Sequence, residues 1–120
     1  MATVSPKVSS VQVQGRDVQR VVWSGIVTGD TIEAFGIAGD NPAYGAAQIS
    51  GTFGGATVTV EVSNNGSAFH DVAKDIHGTT LSASAAALFD FTTSAVYIRP
   101  KVASGSANSI TVTMVLRTGQ

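Results

Sequence analysis

Residues 51–66 read GTFGGATVTVEVSNNG, and they constrain the fold more than any other stretch. Val58, Val60 and Val62 alternate with Thr57, Thr59 and Glu61. Successive side chains of a strand point to opposite faces, so this period of two sets three valines on one face and polar residues on the other. Gly54-Gly55 reach the positive φ angles of a tight turn, which predicts a hairpin pairing residues 49–53 with residues 56–62. Asn65-Gly66 is a second turn signal and predicts that the chain returns along residues 69–72.

The rest of the chain repeats this grammar. Residues 18–27 are rich in Val and Ile around Trp23, and residues 31–38 follow a Gly29-Asp30 turn. GDNPAYG, residues 39–45, reads as a loop because Gly, Asp, Asn and Pro all favour turns. Residues 46–53 are the next strand. In TTLSASAAALFDF, residues 79–91, the alanines favour helix. There Leu81, Ala83 and Ala85 alternate with Ser82 and Ser84, so a strand or irregular edge is the preferred reading, with a short helical turn over residues 85–88 as the alternative. Residues 97–103 read as a strand with Ile98 and Val102 on one face. SGSAN, residues 104–108, is a turn, and residues 109–117 place Ile110, Val112, Met114 and Leu116 on one side.

Turn signals every roughly 8–12 residues suggest a sandwich or a small barrel. The expected fold is all-β: a single antiparallel β-sandwich, jelly-roll or Ig-like, of seven to nine strands. Its expected core is Val22, Trp23, Ile26, Phe35, Ile49, Phe53, Val58, Val60, Val62, Ile98, Val102, Ile110, Val112, Met114 and Leu116. The 120 residues suit one domain. Residues 1–17 are polar and read as an extended arm, leaving residues 18–120 as the sandwich.

Charged residues are only 12% of the chain, with a net charge of −1, against about 25% in an ordinary domain. Lys7, Arg16, Arg20, Lys74, Arg99, Lys101 and Arg117 are scattered, although Arg99 and Lys101 can share a strand face. Nucleic-acid binding usually needs a basic stripe, so no nucleic-acid partner is expected. No run of 18 apolar residues occurs, and the first ten residues lack the apolar centre of a signal peptide, so neither membrane nor export is expected. Cysteine is absent. The surface falls to Ser, Thr, Ala and Gly, which cost little to desolvate and suit broad contact with proteins. Many β-sandwiches with no such role carry a similar surface.

Chemistry is sparse. His70, Asp71, Asp75 and His77 lie within HDVAKDIH, but residues seven apart on a strand face opposite ways and sit about 23 Å apart. A polar hairpin edge is the better reading than a metal site. No Gly-x-Ser-x-Gly elbow, phosphate loop or facing carboxylate pair occurs. No catalytic residue, cofactor or metal is therefore expected, and the chain does not read as an enzyme. A carbohydrate-binding module is the rival reading, since such sites use exposed aromatics as platforms. Tyr44, in the GDNPAYG loop, is the one candidate platform, because Trp23 and Phe53 sit in strand runs.

Two segments, QISGTFGGATVTVEVSNNGSAFHDV (48–72) and VYIRPKVASGSANSITVTMVLR (96–117), resemble small all-β virion proteins of tailed bacteriophages. Asn65 stands where Asp is common in that group, and both residues suit the turn. The resemblance implies a non-enzymatic virion component, most similar to head decoration or cement proteins, with tail-tube or head-fibre roles as alternatives. It implies assembly in the host cytoplasm, a homotrimer, and the major capsid protein or another virion protein as partner. Ordering the arm costs about 1–2 kcal/mol per residue in backbone entropy. The arm is therefore expected to lie across a partner subunit, with Val8, Val11 and Val13 facing it and Tyr44 as a further contact.

Overall fold

The computed structural model describes residues 3–13, 16–37, 43–71, 82–93 and 95–118; the side chains of residues 11–13, 16, 17, 43, 44, 70, 71 and 118 lie outside that description. The described residues form strands and turns, with no helix among them. Seven strands have seven or more residues: β2 (Lys7–Val13), β3 (Arg16–Ile26), β6 (Ala43–Thr52), β7 (Thr57–Ser63), β10 (Ala87–Thr93), β11 (Tyr97–Ala103) and β12 (Ser109–Thr118). Five more are two-residue pieces: β1 (Thr3–Val4), β4 (Thr31–Ile32), β5 (Phe35–Gly36), β8 (His70–Asp71) and β9 (Ser82–Ala83). The continuous strand expected over residues 31–38 is thus two short pieces, and where the alanines competed for helix, residues 84–86 are a bend between β9 and β10.

The larger sheet has the order β10-β6-β12-β3-β2, every neighbour antiparallel. The second runs β5-β11-β7-β8, with β9 also paired to β7. One buried cluster draws on both. Val21, Trp23, Ala47, Ile49, Phe91, Val112 and Met114 come from the first, and Val58, Val60 and Ile98 from the second. Trp23 is fully buried, and its indole N–H donates to the Glu33 carbonyl at 2.8 Å. That bond satisfies the one polar atom the ring carries inside.

The hairpin expected at Gly54-Gly55 is a crossover instead. Both edges of β6 are already taken, one by β10 and the other by β12, so β7 has nowhere to pair with it. The turn itself is tight, the Ala56 N–H donating to the Phe53 carbonyl at 2.8 Å. Gly54 and Gly55 have φ of 55° and 85°, and they carry the chain from one sheet to the other. SGSAN makes the return crossing between β11 and β12, and the two crossings touch: the Ser106 N–H donates to the Gly54 carbonyl at 3.0 Å. Buried Asn108 ties this corner to the β3–β4 turn, accepting from the Thr28 N–H at 2.9 Å and donating to the Thr28 hydroxyl at 2.7 Å. The Asn65-Gly66 turn does make a hairpin, with Glu61 opposite Asp71 and Val62 opposite His70.

The core differs from expectation at β3. Val21 is fully buried and Val22 half-buried, because Val21 shares a face with Trp23. Ile26 is buried too, three positions on, and a bulge explains how. Trp23 pairs with Val112 and Ile26 with Ile110, so three steps on β3 answer two on β12. Gly25, at φ 66°, supplies the left-handed residue such a bulge favours. Phe35, Phe53, Val62 and Val102 are half-buried around the core, and Phe91, Ala47 and Ala56 join it unexpectedly.

The N-terminal segment is not an unpaired arm. Strand β2 pairs with β3 along its whole length, from Lys7 opposite Val22 to Val13 opposite Arg16. Strand β1 pairs parallel with β4, and the Glu33 N–H donates to the Val4 carbonyl at 3.0 Å. The Ser5 hydroxyl donates to the Glu33 carboxylate. A division between residues 17 and 18 would cut β3 near its start. Side-chain polarity misleads here because an edge strand is held by backbone hydrogen bonds, which any residue but proline supplies.

Candidate functional site

The registers define the outer face of the larger sheet residue by residue. One row across all five strands is Leu88, Gln48, Thr113, Val22 and Lys7; the next is Asp90, Ala46, Val115, Arg20 and Ser9. Four strand spacings make this face about 19 Å wide. On its three inner strands these rows carry Gln48, Thr113, Val22, Ala46 and Val115 and a single charge, Arg20. Lys7 and Asp90 stand on the two outermost strands. A neutral, partly apolar centre with charges at its margin is the layout of a protein contact surface. Leu88 is 66% exposed and Val8 49%, the two largest exposures among the large hydrophobic residues described.

The second sheet turns a different surface outward. Glu61 is buried, its carboxylate accepting from the Arg99 Nε–H at 3.0 Å. The Arg99 guanidinium lies 3.8 Å from the centre of the Phe69 ring, a cation–π contact. Antiparallel pairing of β7 with β11 sets Glu61 opposite Arg99 and Thr59 opposite Lys101. Arg99 and Lys101 therefore share a face, as the sequence predicts. With Asp30, Thr31, Ile32, Glu61, Pro100 and Val102 they line a shallow open groove. Two acidic and two basic side chains line it, and Arg99 is already committed to Glu61 and Phe69.

The four expected contact residues fall on two strands, β2 and β6. Val8 lies opposite Val21 and Val11 opposite Val18. Val13 ends β2 opposite Arg16. Tyr44 is not on a loop. It sits within β6, paired with Thr92 on one side and Arg117 on the other. The side chains of Val11, Val13 and Tyr44 lie outside the described residues. So do Asp75 and His77 and the side chains of His70 and Asp71. Among the described residues no three His, Cys, Asp or Glu side chains gather as a metal site.

Sequence reasoning missed the Glu61–Arg99–Phe69 cluster. Glu61 was visible as the one charge of its strand, but its partner follows only once β7 and β11 are known to pair. Leu88 carried a readable signal: it occupies the polar phase of a strand whose other phase is Ala87, Phe89 and Phe91. The sequence matches no family model and no curated protein.

Proposed function

We propose that this chain is a non-enzymatic structural protein of a phage particle, a decoration or cement protein that binds the assembled capsid. In this reading the two larger sheets form one antiparallel sandwich. Its partner is the major capsid protein or another virion protein, and it acts as a homotrimer in the virion, without nucleic acid or membrane. The observation that carries the reading is the broad outer face of the larger sheet, neutral at Gln48, Thr113, Val22, Ala46 and Val115. The resemblance of residues 48–72 and 96–117 to phage virion proteins supports it.

A cement protein acts by mass action. Binding the assembled shell and not free subunits stabilises the shell by RT ln(1 + [L]/Kd). Several copies held in one oligomer multiply weak contacts into avidity. The test is co-sedimentation. The protein should pellet with assembled shells in a fixed ratio and stay in the supernatant with free capsid subunits. Tail tubes and head fibres, run in parallel, distinguish the other virion roles. Failure to pellet with any of these assemblies would sink the reading.

A further inference from the structure

We propose that copies of this chain associate edge to edge, the outer edge of β10 in one copy pairing with the outer edge of β2 in the next. Among the described residues both edges lack a neighbour, since β10 and β2 are the end strands of the larger sheet. The strands are equal in length, seven residues each. Each pairs with its inner neighbour in unbroken register, with no bulge and no internal proline. Those are devices by which proteins usually blunt a sheet edge, and both are missing here.

Charge chooses the pairing. KVSSVQV has one charged residue, Lys7, and ALFDFTT has one, Asp90. Both are exposed, and no ion pair holds either among the described residues. Both also stand on the outer face of the sheet, Lys7 in the row of Leu88 and Asp90 in the row of Ser9. Joining β10 to β2 sets opposite charges side by side. Joining β2 to β2, or β10 to β10, offers neither charge an opposite partner. Four antiparallel steps leave β2 and β10 running the same way, so the joint is a parallel one. With Lys7 beside Asp90, residues 7–10 of one copy lie along residues 90–93 of the other, a four-residue overlap. A contact between two different edges is heterologous, and it closes into a ring when the rotation permits. The inference adds an interface to the oligomer proposed above but does not need the capsid.

Analytical ultracentrifugation of the full chain over a concentration series tests this. The wild type should self-associate. Lys7→Glu and Asp90→Lys should each weaken association roughly tenfold or more by setting like charges together. The double variant should restore it. The decisive arm is an equimolar mixture of the two single variants, which should recover association that neither shows alone, in even-numbered assemblies of alternating variants. Every junction between unlike variants sets opposite charges together, and every junction between like variants sets like charges together. Circular dichroism confirms folding, and Lys7→Gln and Asp90→Asn replace either reversal that fails to fold; each should weaken association less. A wild type that stays monomeric up to its solubility limit overturns the proposal, as does a double variant that does not recover. A protein that associates as described yet ignores shells would leave the interface standing and sink the capsid reading alone.

Discussion

The two larger sheets solve the same problem by different means. The first contains five long strands, and its order is fixed by unbroken backbone ladders except at the Gly25 bulge. The second has two long strands, β7 and β11, flanked by two-residue pieces. There side chains supply what ladders do not: the Glu61–Arg99 pair, the Arg99–Phe69 contact, and the Ser63 and Asn65 side chains that hold the turn after β7. The contrast teaches that a long ladder frees the outward face for other use, while a short sheet spends its outward face on its own stability. That division is why the larger sheet carries the proposed contact surfaces.

The strongest way to break the comparison is through the core both sheets share. Trp23→Ala removes the largest fully buried side chain and orphans the Glu33 carbonyl; about 3–5 kcal/mol of stability should be lost, measured by urea unfolding. Ile98→Ala reaches the same core from the second sheet and should cost about 2–5 kcal/mol in the same assay. A single unfolding transition in both variants would show one cooperative unit. Two separate transitions would show that the sheets unfold independently, contrary to the single buried cluster.

Smaller effects sharpen the contrast. Asn108→Ala leaves the Thr28 N–H without its acceptor at the corner where the chain changes sheets, and should cost about 1–3 kcal/mol. Glu61→Gln keeps the shape of the pair and removes its charge; with Arg99 partly exposed, the loss should be about 1 kcal/mol and should shrink in high salt, read by thermal melts at two ionic strengths. Leu88→Ser, on the ladder-built sheet, should stay within about 0.5 kcal/mol of wild type. A large loss there would mean that the outer face is spent on stability after all.

How much of this was readable follows the same divide. Strands β7, β11 and β12 are plain in the sequence because alternation is a local property of a half-buried strand. What alternation cannot say is which strands are neighbours. Gly54-Gly55 makes the same tight turn whether the next strand pairs with the last or departs to another sheet, and only the full occupancy of β6 decides. The burial of Val21 over Val22 follows from counting back from Trp23 by twos, whereas Ile26 keeps its place only through the Gly25 bulge. Strand β2 was hidden for a further reason: its bonds are made by backbone, and its side chains record none of them. For the contact candidates Val8, Val11, Val13 and Tyr44 the sequence suggested an arm and a loop where the chain has two strands.

The position of β12 has a consequence for how such a chain comes into being. This strand lies between β6 and β3 and, among the described residues, joins them into one sheet. On a ribosome, then, β2 with β3 and β6 with β10 can form only as separate halves until residues 109–118 emerge. Each half waits with a bare inner edge ready to accept any strand of similar pattern, including one from a neighbouring nascent chain. The last strand must slide between two prepared edges and satisfy both at once. Closure of the sheet is therefore the late and cooperative event of folding, dominated by contacts distant in sequence and correspondingly slow. Crowded synthesis of many copies is the condition under which it goes astray.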